Sequence, residues 1–211
     1  MGHIRKGILG GFSGKVGTVV GASWKQTMYM RSLPKNINDP KTLAQRRQRV
    51  KFALVIALLR PLTAVLRVGW KRYATHQTAF NAATAYTFAN AITGTFPNLQ
   101  IDYKKVMISR GNLTPIQPPT LKGSGGKITI AWKDNSGIGN AKPTDKLLLA
   151  LINPVKNEVI TRYDETERSE ESFAIDLPHW TGNRVHIYIG FASDDGKEVS
   201  DSICYPSIQI V

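Results

Sequence analysis

The sequence predicts an α+β chain in two parts. A basic, mainly helical N-terminal part with a short β-ribbon covers residues 1–113, and a β-sandwich covers residues 114–211. Three observations carry this. Apolar residues recur at helical spacing between about residues 40 and 92. After residue 119, short and often alternating apolar runs follow one another. Charge divides the chain as well: residues 1–75 hold 15 Lys or Arg against Asp39 alone, whereas residues 114–211 hold 10 basic and 13 acidic side chains.

Glycines at 7, 10, 11, 14, 17 and 21 disfavour a helix, since each interior glycine costs about 1 kcal/mol relative to alanine. They indicate a flexible arm or an irregular ribbon. From Thr18 to Arg31 the residues turn β-friendly through Val19, Val20, Trp24, Thr27 and Tyr29, which predicts a strand or hairpin.

Asn38-Asp39-Pro40 signals a helix start, with Asp39 as cap and Pro40 at the first helical position. That helix runs to about Leu59, and Pro61 ends or kinks it. A second helical segment covers Leu62 to Tyr73. The run Phe52–Leu59 is apolar all round, which predicts burial on every side. A third helix spans Thr78 to Ile92 and stops at Gly94.

Leu99 to Ser109 reads as extended. Pro115, Pro118 and Pro119 then form a short stiff connector, the predicted boundary between the two parts. Strand-like runs follow at Lys127–Trp132, Lys146–Ile152, Glu158–Tyr163, Ser172–Leu177, Arg184–Ala192 and Val199–Val211. Asn135 to Asp145 is a polar loop, and Asp195-Gly196 is a compact turn between the last two runs. About seven short strands with such breaks indicate a sandwich.

The net charge of +13 favours polyanionic partners: nucleic acid, an anionic membrane or an acidic protein. Arg46-Arg47-Gln48-Arg49-Val50-Lys51 leads the first helix and cannot be neutralised within a half that holds so few acids. A helix N-terminus prefers acids, so this placement costs stability and points to function. Lys15, Lys25, Lys71 and Arg72 extend the basic set. Trp24, Tyr29, Trp70 and Tyr73 are interleaved with Lys25, Arg31, Lys71 and Arg72, a pattern that fits either base stacking or buried rings flanked by solubilising charges.

Other chemistry is excluded by spacing. Gly14-Lys15 is followed by Val16 and position 9 is leucine, so no phosphate-binding P-loop exists; Gly11, Gly14 and Gly17 do not match the dinucleotide fingerprint. His3, His76, His179 and His186 show no zinc-type pairing. Cys204 lies in the predicted last strand, a core position rather than a nucleophile. Asp164, Glu165, Glu167, Glu170 and Glu171 read as a charged loop, and Asp194-Asp195-Gly196 is too short for a calcium loop. No enzyme, metal or cofactor is expected.

A single cysteine rules out a disulfide framework within the chain and fits a reducing compartment. Glycines and Lys15 break the apolar stretch a signal peptide needs. Arg60, Pro61 and Arg67 interrupt Phe52–Val68, so no membrane span is expected. The expected setting is cytoplasmic or virion-associated.

Gly7-Ile-Leu-Gly-Gly-Phe-Ser-Gly-Lys-Val-Gly-Thr-Val-Val-Gly21, with Ser23-Trp24-Lys25, Asn38-Asp39-Pro40-Lys41-Thr42 and Gln45, resembles a family of uncharacterised proteins of about this length from Bacteroidetes. The ending Ile187–Ser200 is similar to that family too. The resemblance implies a bacterial, intracellular or phage-associated origin and carries over no functional residue. Trp132 in an early strand and Tyr188 in a late one make the C-terminal part similar to fibronectin type III or immunoglobulin-like modules, which implies a contact-making domain.

The expected function is a non-enzymatic binding protein. Its basic half, through Lys15, Lys25, Arg46, Arg47, Arg49, Lys51, Lys71 and Arg72, contacts nucleic-acid backbone (DNA or RNA) without reading sequence, while the sandwich contacts protein. The alternative is a structural or assembly component, such as a virion or adaptor protein, docking on an acidic partner or on further copies as a homo-oligomer. A third option places the basic, apolar stretch at an anionic membrane.

Overall fold

The computed structural model describes residues 2–4, 10–24, 27–33 and 39–210, without the side chains of Asp164 and Pro206. Two compact units result, Met1–Leu43 and Ala44–Val211.

The first unit is an antiparallel meander of β1 (His3–Ile4), β2 (Phe12–Val16), β3 (Val19–Trp24) and β4 (Thr27–Ser32), paired in chain order. Of the two readings of the glycine-rich opening, the ribbon is the one found: Gly14 and Gly21 sit in strands and Gly17 in a tight turn. Gly7 lies outside the described residues. Gly17 takes a φ of +57° in the β2–β3 turn, a conformation that favours glycine. Gly21 lies beneath Phe12: a Cβ there would sit 2.2 Å from the Phe12 carbonyl oxygen and 2.7 Å from its ring. The β3–β4 hairpin matches the expectation for Thr18–Arg31.

Register divides this sheet into two unlike faces. Residues opposite each other in antiparallel strands share a face. Ile4, Phe12, Val16, Val19, Met28 and Met30 fall on one face; His3, Ser13, Lys15, Val20, Ala22, Trp24, Tyr29 and Arg31 fall on the other. Trp24 and Tyr29 are 53% and 48% exposed.

The second unit begins with α1 (Leu43–Leu59), α2 (Thr63–Gly69) and α3 (Ala79–Asn90). The start of α1 is corrected from Pro40 to Leu43. Asp39 Oδ1 does accept from the Lys41 amide at 3.3 Å, but Lys41 has a φ of +49°, which a right-handed helix does not permit. The Pro61 break holds: α1 and α2 meet at 87°. The Thr78 hydroxyl caps α3 by accepting from the Asn81 amide at 3.1 Å.

After α3 comes a hairpin of β5 (Ile92–Thr95) and β6 (Asn98–Ile101). It takes over the predicted end of the helix at Ile92, while β6 makes the start of the predicted extended segment, Leu99–Ile101, a strand. Gly94, at φ +81°, lies in β5 rather than capping α3. A short 3-10 turn covers Tyr103–Lys105.

The sandwich follows, in seven strands: β7 (Thr120–Ser124), β8 (Lys127–Ala131), β9 (Lys146–Asn153), β10 (Glu158–Glu167), β11 (Ser172–Asp176), β12 (Arg184–Ala192) and β13 (Ile203–Gln209). One sheet is ordered β11-β8-β7 and the other β10-β9-β12-β13, all pairs antiparallel. Strand β7 has no counterpart among the predicted runs. It is joined to β8 through Gly125 and Gly126, whose φ values of +60° and +71° suit a two-residue hairpin turn.

Strand alternation makes three layers. Leu147, Leu149 and Leu151 of β9 face the sandwich interior with Ile128, Ile130, Trp132, Ile187, Ile189 and Phe191. Leu148, Ala150 and Ile152 face the other way, onto Val55, Leu59, Leu62, Val65, Leu66 and Trp70. The four-stranded sheet is thus covered on both faces, which is why β9 reads as an unbroken apolar run. Each large apolar side chain so buried contributes about 1.5–3 kcal/mol.

The predicted division at 113/114 does not coincide with the two compact units. The helices share a core with the sheet, and the proline segment is strapped to the sandwich. The Leu113 amide donates to the Val199 carbonyl at 3.0 Å, and both Leu113 and Ile116 are buried. Among the described residues no single helix is long and apolar enough to cross a membrane.

Candidate polyanion-binding face

Helix α1 places Arg46, Arg47, Arg49 and Lys51 on two successive turns. At about 100° per residue they span roughly 200° of its circumference. The three arginines are exposed and Lys51 is half-buried, its ammonium 5.9 Å from the centre of the Phe88 ring. The first turn of α1 carries no acid, and none occurs anywhere between Asp39 and Asp102.

The expectation that Phe52–Leu59 is buried on every side is corrected. Val55 and Leu59 are fully buried, but Phe52 is 56% exposed and Ala53 and Ala57 are exposed. The helix lies on the sheet with one face only, so its far side meets solvent. Along its flank Gln45, Gln48, Arg49, Phe52 and Ala53, with Phe88 of α3, line an open groove of about 490 Å³.

The other predicted cations are dispersed. Lys71 Nζ donates to the Gly196 carbonyl at 3.2 Å, and Arg72 pairs with Glu198 at 3.5 Å. Both thus fasten the 3-10 turn Lys71–Tyr73, which follows α2, to the β12–β13 connection. Lys15 is exposed on β2 in the first unit, and Lys25 lies outside the described residues.

The aromatic pattern divides similarly. Trp70 is 1% exposed, and its indole donates to the Met107 carbonyl at 3.2 Å. It packs on Tyr73 and Tyr86 at ring distances of 5.5 and 5.4 Å. Arg110 lies over both tyrosines, 5.3 and 5.2 Å from their centres. Trp70 is a core residue.

Sequence reasoning misses Arg168, which sits among acids and looks like surface charge. It is fully buried, with Nη2 3.1 Å from Asp145 Oδ2 and donating to the Thr114 carbonyl at 2.9 Å. Another nitrogen bonds Asn135, and the guanidinium lies 4.0 Å from the centre of the Phe191 ring. Burial pulls its pKa down, against the pull of Asp145 in the other direction. This group ties the connector, the Asn135–Asp145 loop and the end of β10 together.

The acidic stretch serves similar ends. Glu167 pairs with Lys146 at 3.0 Å and Glu165 with Arg162 at 3.5 Å. Glu171 accepts from the Asp134 amide at 3.0 Å. Among the described residues no three His, Cys, Asp or Glu side chains are grouped to hold a metal. His186 stacks on Tyr103 at 4.1 Å, and burial lowers its pKa. Burial raises the pKa of the half-buried Cys204 thiol.

A helical layer with an arginine-rich outer turn, set on a seven-stranded sandwich and preceded in the chain by a small two-faced sheet, defines the class of this protein. Residues 11–205 match a family of unknown function, DUF6266, and the chain belongs to that family. No curated protein matches it. Among solved structures it is similar to the fibronectin type III domain of human collagen alpha-1(XX) chain, with 10% identity, 46% of this chain and 85% of that one covered, and a TM-score of 0.35. It is also similar to the same type of domain in human contactin 1, with 14% identity, coverage of 49% and 83%, and a TM-score of 0.33.

Proposed function

We propose that the protein is a non-enzymatic binder whose α1 arginines contact nucleic-acid backbone without reading sequence. The observation that carries this reading is the placement of Arg46, Arg47 and Arg49, all exposed, on a helix without a single acid. Phosphate contacts release condensed counterions and are strongest at low salt. A gel-shift titration with random-sequence DNA and RNA tests it: binding at ~50 mM salt that fades as salt rises supports the reading, and no shift with either polymer ends it.

A second reading, an assembly component, is favoured by the apolar face of the first sheet. Ile4, Val16, Met28 and Met30 are between 54% and 70% exposed there, and exposed apolar faces mark interaction surfaces. Light scattering on nucleic-acid-free protein tests it. Discrete oligomers support assembly, and a monomer at all concentrations removes self-assembly through this face.

A further inference from the structure

We infer that the groove beside α1 holds an unpaired nucleobase, so that the preferred polymer is single-stranded. This rests on the nucleic-acid reading above and names its partner class.

The groove combines three chemistries along about two turns of α1. Its floor is aromatic and apolar, formed by Phe52, Ala53 and Phe88. Two primary amides, Gln45 and Gln48, border it and carry both donors and acceptors, as base edges require. Cations stand beside it: Arg49 lines it and Lys51 lies over Phe88. Stacking rings beside backbone-tracking cations are the means by which proteins hold single strands.

Duplex DNA does not use such a floor. Its bases are stacked on one another and offer only edges in the grooves, so Phe52 would be left in solvent against a duplex. An acidic peptide offers carboxylates to the cations and its own amides to the glutamines, but it meets the ring with a π face only where it carries an aromatic side chain, whereas every nucleotide of a single strand carries one. An unpaired base uses all three.

Phe52 is also an unusual residue to leave 56% exposed one position after a lysine that leans over a neighbouring ring. Its exposure means that replacing it removes little packing, so substitution reads binding rather than folding.

Fluorescence anisotropy with the full-length chain tests the inference, using labelled oligo-dT, an abasic strand of the same length, and a duplex. Phe52→Ala should weaken oligo-dT binding by roughly 5- to 150-fold, the range for losing one stacked base. It should change abasic and duplex binding by less than about 2-fold. Phe52→Trp should retain the oligo-dT affinity, whereas Phe52→Leu, apolar but without a π face, should not. Equal loss on all three polymers, no loss on oligo-dT, or full affinity in Phe52→Leu overturns the inference while leaving backbone binding intact. Wild-type protein that binds none of the three overturns both readings. Tight binding of an acidic amphipathic peptide that Phe52→Ala abolishes, with oligo-dT affinity unchanged, assigns the groove to protein instead.

Discussion

Arg168 and Asp145 form an ion pair at 3.1 Å with both side chains at 0% exposure. Around it converge the Thr114 carbonyl, Asn135 and the ring of Phe191. A buried pair costs desolvation, and its value lies in what breaking it does. Arg168→Met leaves Asp145 as a buried unpaired charge and should destabilise the second unit by about 3–5 kcal/mol. Denaturant unfolding followed by tryptophan fluorescence checks this, since the Trp132 indole donates to the Arg168 carbonyl at 2.8 Å. Adding Asp145→Leu should recover part of the loss.

The helical layer meets the segment after β6 at Gly69. A Cβ there would lie 2.2 Å from the Ile108 carbonyl oxygen and 2.7 Å from the Ser109 Cβ. Both residues are buried and cannot withdraw. Gly69→Ala should therefore cost about 1–3 kcal/mol through overpacking. Thermal unfolding is the measurement, and an unchanged midpoint would show that α2 is not seated as described.

His186 introduces a pH dependence. Burial lowers its pKa in the folded chain, so the unfolded chain binds the proton more readily. Stability is then fully present above the unfolded value of about 6.5 and falls as pH drops from there towards the folded value. Urea unfolding at about pH 7 and about pH 5 should show a loss at the lower pH. His186→Gln should reduce that loss.

Much of the sandwich is legible in the sequence. Lys146–Ile152 and Arg184–Ala192 carry apolar residues on both faces, and each is a strand. Strand β7 escapes the pattern because Thr120–Ser124 has one large apolar residue, Leu121, although Gly125-Gly126 marks the turn. The division at 113/114 is not visible in the packing for a related reason. Periodicity shows which face of a helix is apolar but not what covers it, and here the cover is Leu148, Ala150 and Ile152 of the sandwich's own sheet.

The candidate site is half legible. The run Arg46–Lys51 announces itself by charge, and Arg46, Arg47 and Arg49 are exposed. Lys71 and Arg72 have the same chemistry in sequence, yet they reach Gly196 and Glu198 from 125 and 126 positions away, a pairing no local pattern encodes. Phe52 reads as core because its neighbours are apolar. Only the one-sided seating of α1 exposes it.

Contact between the α1 arginines and phosphate is tested most directly by salt. Each phosphate contact adds about −0.9 to the slope of log affinity against log salt. With about four cations engaged, affinity for a random-sequence duplex should fall roughly 100-fold between about 50 and 200 mM salt. A variant carrying Arg46→Gln, Arg47→Gln and Arg49→Gln should bind more weakly, with the slope reduced by about three contacts' worth. A variant that keeps the wild-type slope would contradict phosphate contact through α1.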